Sequence, residues 1–341
     1  MKETRKILLA HGSGGKLSEE LIREVFLAEF GNDTLNDTLS GLTDAAILEF
    51  KGGSLAFTTD SYVVNPLFFP GGNIGKLSVC GTVNDLAVMG AKPLFLTCGF
   101  IIEEGLDYSV LRRIVKSMRK AAETAGVTIV AGDTKVVEKG SADGLFINTA
   151  GIGRVDKEVC LSVRNIRIGD KIILSGTIGD HGMAVLGKRE NLDFQAEINS
   201  DCAPLHDLIT QALKVSRKIR FMRDPTRGGL AATLNEVVRE SGWGILIEEA
   251  KIPVSEGVKS LTELLGFDSL YIANEGKVVL VVAPEDAERV NKEMRGHPLG
   301  KNSRIIGEII AAPKGKVGLR TLVGGTRIVD MPVGEQLPRI C

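Results

Sequence analysis

Between Leu42 and about Val155 the apolar residues switch repeatedly between the period of a strand and the period of a helix. Ala45–Phe50 and Ser54–Thr59 read as paired strands around Gly52 and Gly53. Gly75–Met89 is apolar on most sides, which predicts a buried helix. Pro93–Ile102 reads as a strand. Asp107–Ala125 predicts an amphipathic helix, with Asp107 capping its start and Gly126 suited to its stop. Val110, Leu111, Ile114, Val115, Met118 and Ala122 form its buried stripe, and Arg112, Arg113, Lys116, Arg119 and Lys120 its solvated face. Val127–Ala131 and Leu145–Gly153 read as further strands.

The second half repeats this style. Strands are predicted at Lys171–Ser175, Gly244–Glu248, Leu270–Ala273, Lys277–Val282, Arg304–Ile310 and Lys316–Leu322. Helices are predicted at His181–Lys188, Pro204–Ser216, Gly229–Glu240 and Pro284–Arg295, the last with acids in its first turn and Gly296 after its end. Asn274-Glu275-Gly276 reads as a tight turn between two strands. Each half mixes strands and helices in an order that suits helices layered on one face of a sheet, an α/β (α+β) architecture in two domains. The divisions are residues 1–40, a Gly-rich loop and a helix over Leu17–Phe30; 41–157, a first domain; 168–323, a second; and 324–341, a tail. Arg164, Asn165 and Arg167 interrupt the apolar runs at the join. After Gly324-Gly325 the pattern stops, and Pro332, Gly334 and Pro338 oppose regular structure. The stretch from Thr326 to Cys341 could reach roughly 50 Å if extended, so a mobile arm is expected.

Composition adds exclusions. The 341 residues carry a net charge of -1, so nothing points to nucleic acid. No apolar run is long enough for a membrane helix, and the N-terminal apolar run is too short for a signal peptide; a cytoplasmic protein is expected. Cys80, Cys98, Cys160, Cys202 and Cys341 make no CxxC pair, and Cys80 and Cys98 lie inside apolar runs as small core residues do.

No P-loop motif occurs, because Gly15-Lys16 and Gly75-Lys76 lack both the first glycine and the following Ser or Thr, and no G-x-G-x-x-G follows a strand. Acids at the ends of apolar runs are present instead: Asp44, Asp60, Asp85 and Asp133. Singly, each is a turn or cap residue; together they repel one another unless a hard cation such as Mg2+ sits between them and a phosphate. The loop His11-Gly12-Ser13-Gly14-Gly15-Lys16 is either a flexible turn or a cradle of backbone N–H groups for phosphate. Asp224-Pro225-Thr226-Arg227-Gly228-Gly229 leads into a helix, either to offer its N-terminus to an anion or merely with Thr226 as cap. Lys135 and Glu275 read from sequence alone as solvated. Cys341 ends the arm, either as an accidental terminal residue or as a covalent carrier, for which an accessible, nucleophilic thiol is well suited.

Taken together, His11–Lys16 (HGSGGK), Phe57–Gly72, Cys80–Pro93 (CGTVNDLAVMGAKP), Gly132–Val137 (GDTKVV), Gly179–Ala184 (GDHGMA), Asp224–Ala231 (DPTRGGLA), Ala273–Lys277 (ANEGK) and Leu337–Cys341 (LPRIC) resemble the HypE family of hydrogenase maturation factors, within the PurM-like, AIR synthase-related superfamily. The resemblance spans essentially the whole chain, and its terminal PRIC is its most specific part. It implies two PurM-like domains and a homodimer whose first domains close a β-barrel, with ATP at the domain and subunit junction. It implies a carbamoyl dehydratase: a HypF-like carbamoyltransferase loads the terminal thiol, ATP drives dehydration of the S-carboxamide to an S-cyanate, and a HypC–HypD complex takes the cyano group for the iron of [NiFe] hydrogenase. By the same resemblance Asp44, Asp60, Asp85 and Asp133 would hold Mg2+. Gly12, Ser13, Gly14, Gly15, Asn84, Thr134, Asp224, Thr226, Arg227 and Gly228 would contact ATP. Lys135 and Glu275 would flank the carboxamide, either of them as base, and Cys341 would carry it. Two other readings stay open: another PurM-like kinase or synthetase, which has no use for the Cys341 arm, and a non-catalytic thiol carrier, which has no use for the acids.

Overall fold

The computed structural model describes residues 15–21, 23–24, 45–50, 53–192, 198–332, 337 and 339–341. Gly12, Ser13, Gly14, Asp44, Gly334, Pro338 and most of the expected Leu17–Phe30 helix lie outside them.

Helix α1 (Gly15–Leu21) precedes β1 (Ala46–Phe50), β2 (Gly53–Tyr62), a small hairpin of β3 (Phe68–Phe69) and β4 (Gly72–Asn73), α2 (Ile74–Val88), β5 (Ala91–Glu103), α3 (Tyr108–Ala125), β6 (Thr128–Val137) and β7 (Leu145–Val155). The long strands form one sheet in the order β1-β2-β7-β5-β6, antiparallel except between β5 and β6, whose connection through α3 is the crossover a parallel pair needs.

α2 lies on one face of this sheet, with α3 packed against it. Its apolar residues show no preferred side because almost all of it is buried. The Asn73 side chain caps it, accepting from the N–H groups of Gly75 and Lys76 at 2.9 and 3.1 Å. α3 ends at Gly126 as expected, in the left-handed conformation. Asp107 holds the cap position without a side-chain cap bond. The stripe also differs from expectation: Val115 is exposed and Ala121 and Ala125 are buried. Val115 lies about 100° around the axis from Ile114, whereas Met118, Ala121 and Ala125 follow at helical intervals. Among the described residues no helix packs on the other face of the sheet. Phe57, Ile152 and Phe95 stand side by side across β2, β7 and β5 on that face, all exposed.

The second domain contains β8 (Lys171–Leu174), α4 (Asp180–Arg189), α5 (His206–Val215), β9 (Ile219–Arg223), α6 (Gly229–Ser241), β10 (Gly244–Glu248), α7 (Glu256–Leu265), β11 (Val279–Val282), α8 (Pro284–Gly296), β12 (Arg304–Ile310), β13 (Val317–Arg320) and β14 (Thr326–Val329). Its sheet runs β14-β13-β10-β12-β8-β11-β9, with only β10 and β13 parallel. Alternate residues feed two cores: Ile172, Leu174, Val279 and Val281 pack with Leu230 and Leu234 of α6, while Ile173 and Leu280 pack with Leu208 of α5 and Val290 of α8. Helices therefore cover both faces here, not the single face expected.

Leu270–Ala273 is not a strand. Ser269–Tyr271 makes one 3-10 turn, held by Asp268, whose Oδ1 accepts from the Leu270 N–H. The hairpin, β9, α7 and β14 went unread in the sequence. β14 pairs with β13, so regular structure continues past Gly325. Beyond it, Leu337 and Ile340 are buried in the same core as Met183 and Ile272. That core also holds Tyr62, Leu77 and Val83, so it runs continuously through both domains.

Candidate active site

β2 continues three residues past its expected end and carries Asp60 within it. Period two turns Thr58, Asp60 and Tyr62 toward α2. Thr58 Oγ1 donates to Asp85 Oδ2 at 3.0 Å, so Asp85 on α2 and Asp60 on β2 flank the same strand. Asp60 Oδ1 accepts from the Ser61 N–H at 3.0 Å and lies 3.9 Å from Arg227 Nη2. Arg227 belongs to the second domain, so this contact crosses the domain junction.

Arg227 sits in the loop that opens α6. Gly228 is the cap residue of that helix, and Thr226 makes no cap bond, which removes capping as the explanation for the segment. Gly229 has φ +61°, and a Cβ there would stand 2.6 Å from the carbonyl oxygens of both Leu270 and Ile272. Asn274 fixes the loop: its Nδ2 donates to the Pro225 and Ile272 carbonyls, and its Oδ1 accepts from the Gly179 N–H. An α-helix N-terminus beside an arginine is an anion site by its own electrostatics.

Glu275 is buried, contrary to the solvated residue expected, and its Oε1 has no hydrogen-bond partner. Burial pushes its carboxyl well above the usual range, Asp224, Asp60 and Asp201 push it further, and Arg227 opposes them. Its backbone is clamped from both domains. Asn84 Nδ2 donates to the Glu275 carbonyl at 3.2 Å and to the Ala203 carbonyl at 3.1 Å, and its Oδ1 accepts from the Leu205 N–H at 2.7 Å. Both amide hydrogens of Asn84 are thus engaged within the protein, where it joins α2 to the second domain and holds the Glu275 backbone. The Asp201 carboxylate accepts from the N–H groups of Glu275 and Gly276 and from Lys277 Nζ, at 3.1, 3.2 and 2.9 Å. Burial works to raise the Asp201 pKa, but Lys277 and these bonds outweigh it and hold the group ionised. A Cβ at Gly276 would lie 1.9 Å from the Asp201 carbonyl oxygen, so only glycine fits.

The C-terminal residues end in this place. The Val63 N–H donates to the Cys341 backbone oxygen at 3.2 Å, and the Asn65 N–H to the Arg339 carbonyl at 3.2 Å. Arg189 Nη2 also donates to the Arg339 carbonyl, at 2.6 Å, and Arg339 Nε returns a bond to the Val63 carbonyl at 3.0 Å. Arg339 Nη1 pairs with Asp143. The charge at Cys341 is the largest influence on Arg227, raising its pKa, and Asp60, Glu275 and Tyr62 act on it in the same direction. Cys341, Arg227, Asp60, Glu275 and Tyr62 are therefore one electrostatic neighbourhood. The tail, expected as a free arm, is docked.

Asp133, Thr134 and Lys135 stand apart. β6 extends to Val137, so they lie within an exposed edge strand, not beyond its end. Asp60 pairs with Thr149, Thr149 with Cys98 and Cys98 with Gly132. Asp133 is thus three strands from Asp60, about 14 Å, and on the opposite face. Lys135 Nζ lies 3.0 Å from Asp133 Oδ2, and both side chains are 71% exposed. Within one chain the expected acids do not all meet, nor do Lys135 and Glu275. Among the described residues no three His, Cys, Asp or Glu side chains form a metal-binding group.

Residues 42–155 match the family model "AIR synthase related protein, N-terminal domain", and residues 167–320 match its C-terminal counterpart. Carbamoyl dehydratase HypE of Cupriavidus necator is 52% identical over 336 residues, covering 98% of this chain and 95% of that protein. The chain belongs to the HypE carbamoyl dehydratase family. It is also similar to HypE in a crystal structure of a HypE–HypF complex, with TM-score 0.86 at 52% identity, covering 92% of this chain and 99% of that one. A HypE structure in complex with ATP gives TM-score 0.82 at 46% identity, covering 98% of this chain and all of the other.

Of the residues singled out in the sequence, the structure gathers Asp60, Asp224, Arg227, Glu275 and Cys341 into one neighbourhood and sets Asp85 beside Thr58 of the same strand as Asp60. Sequence reading missed the residues that set them in place: Asn274, Asp201, Lys277, Arg189 and His181. Asp201 carries no periodic signal, and His181, Asn274 and Lys277 lie inside family-like motifs that do not by themselves reveal a positioning role.

Proposed function

We propose that this protein uses ATP to dehydrate a carboxamide carried on the thiol of Cys341, the last residue of the sequence, leaving an S-cyanate. The observation that carries this reading is a buried, unpartnered carboxyl oxygen on Glu275 in the electrostatic neighbourhood of the docked Cys341. An orphaned buried acceptor implies a ligand that brings a donor, and a carboxamide on Cys341 brings two N–H groups.

The residues fit ATP and Mg2+. Arg227 and the N-terminus of α6, with Gly228 and Thr226, offer positive potential to phosphates. Asp60 and Asp85 offer carboxylates on one face of β2. Mg2+ takes one or two carboxylates and completes its shell with phosphate oxygens and water, so a pair suffices. When bound, ATP supplies the phosphoryl group that makes the carboxamide oxygen a leaving group, and Mg2+ neutralises the triphosphate.

Glu275 does the proton work. The overall change removes two N–H protons and one oxygen, the oxygen departing as phosphate. A carboxylate in a buried site with a raised pKa is a strong base once ionised, and Arg227 favours the ionised form. Asn84 and Asp201 hold its backbone in register. Leu337 and Ile340 anchor the tail so that the thiol adduct is presented and not merely tethered.

Asp133, Thr134 and Lys135 serve the site from a second copy of the chain. Their exposed edge strand and the exposed Phe57, Ile152 and Phe95 row belong to a face that a homodimeric barrel would cover. Asp44 and the loop of Gly12, Ser13, Gly14 and Gly15 complete the nucleotide pocket. The tail leaves its docked place to be loaded by a HypF-like carbamoyltransferase and to deliver the cyano group to a HypC–HypD complex, for the iron of [NiFe] hydrogenase.

Replacing Cys341 by Ala tests this reading. The variant should bind ATP and accept no carbamoyl group. A carbamoyl label found on Cys80 or Cys160 instead would remove the tail from the reaction.

A further inference from the structure

The Ile340 carbonyl is held by a buried histidine that the dehydration chemistry does not use. His181, at the start of α4, has no exposed surface. Its Nε2 lies 2.9 Å from the Ile340 carbonyl oxygen, and its Nδ1 lies 2.8 Å from Ser200 Oγ. A carbonyl oxygen can only accept, so Nε2 carries the proton. Burial keeps the ring neutral, so Nδ1 is bare and accepts from the Ser200 hydroxyl. The Ser200 oxygen in turn accepts from the Cys202 N–H at 3.1 Å. Every donor and acceptor in the chain Cys202–Ser200–His181–Ile340 is satisfied in this one tautomer. The edge-on ring of Phe69, 5.3 Å away between centroids, leaves the imidazole little freedom.

We propose that His181, oriented by Ser200, is the positioning residue that latches the C-terminal segment in its reactive place. The inference rests on Cys341 as the carrier. With Val63 and Asn65 bonding the Cys341 and Arg339 oxygens, His181 completes a run in which three consecutive backbone carbonyls are all held. Withdrawal of the tail removes the acceptor of the His181 Nε2–H, and the loss of that bond biases the tail toward the docked state. The latch is neutral and its bond single, so the tail can still be drawn out by a partner.

The test reads tail docking without any turnover: the rate at which a small alkylating reagent modifies Cys341 in the full-length protein, followed by mass spectrometry of the C-terminal peptide. His181→Ala should raise that rate about tenfold, the change expected from losing one buried hydrogen bond. The single-turnover dehydration rate should fall by a similar factor while the KM for ATP is unchanged. Gln at 181 places an amide N–H near the position of Nε2, so His181→Gln should restore both towards wild type. Ser200→Ala should act in the direction of His181→Ala with smaller effect. If His181→Ala does not fold, the Gln and Ser200 variants carry the same test. Unchanged alkylation in folded His181→Ala, or in Ser200→Ala where the first does not fold, overturns the latch, as does a Gln variant no better protected than the Ala variant. Alkylation is measured without ATP or carbamoyl donor, so failure of the carrier reading would appear separately, as a wild-type protein that never dehydrates its adduct.

Discussion

Glu275→Gln separates the catalytic demand on this residue from its structural cost. The side chain is buried beside Asp224, Asp60 and Asp201, and its pKa is raised first by burial and then by those acids. A carboxyl whose folded-state pKa exceeds its unfolded value binds protons more tightly when folded. Its contribution to stability is therefore intact below the unfolded pKa and is lost as pH rises through the folded one. Each unit of elevation corresponds to about 1.4 kcal/mol, and each kcal/mol to about 2–4 °C in melting temperature for a domain of this size. Gln keeps the shape, carries no charge and leaves the backbone bonds to Asn84 and Asp201 in place. The variant should thus melt no lower than wild type at pH 5 and higher at pH 8. Its dehydration rate should fall by about 10²–10⁴, the usual contribution of a positioned base. Thermal melts across pH, together with single-turnover mass spectrometry of the C-terminal peptide, read both quantities. A variant that dehydrates at the wild-type rate refutes the assignment of the base; one that melts lower at pH 8 refutes the electrostatic reasoning.

Asp85→Asn should abolish ATP turnover and leave the circular dichroism spectrum unchanged; retained ATPase activity removes Asp85 from the Mg2+ site. Asp201→Ala leaves the buried Lys277 ammonium with only the more distant Asp180, at 3.9 Å, and frees the Glu275-Gly276 backbone, so urea denaturation should show a loss of about 3 kcal/mol. Gly276→Ala forces a Cβ onto the Asp201 carbonyl, and its dehydration should be lost even where the variant folds. Phe95→Asp, in the exposed row of the first sheet, should yield monomers by analytical ultracentrifugation and lose dehydration with them.

The first domain was legible because its elements have long, clean periods. α3 and the strands β5 and β7 were located to within a few residues, and α2 announced itself by being apolar on most sides. The misses have physical causes. Leu270–Ala273 is apolar and short, and such a run does not distinguish a strand from a turn held by Asp268. The exposed β6 lacks alternation over its second half, so Asp133 and Lys135 seemed to follow the strand when they lie inside it. Glu275 looked solvated because a tight Asn-Glu-Gly turn usually faces water; only the packing of Asp201 against Gly276 shows why this one does not. Beyond β14 the tail looked free because Pro332, Gly334 and Pro338 oppose regular structure, yet its end is held by bonds to Val63, Asn65 and His181, which sequence spacing does not encode.

The central claim is that the Cys341 thiol carries the group that is dehydrated. Incubating the protein with a HypF-like carbamoyltransferase, carbamoyl phosphate and ATP, then weighing the C-terminal peptide over time, tests it most directly. The peptide should first gain one carbamoyl group and then, only when Mg-ATP is present, lose one water. A Cys341 peptide that never changes mass, or one that keeps its carbamoyl group in the presence of Mg-ATP, would contradict it.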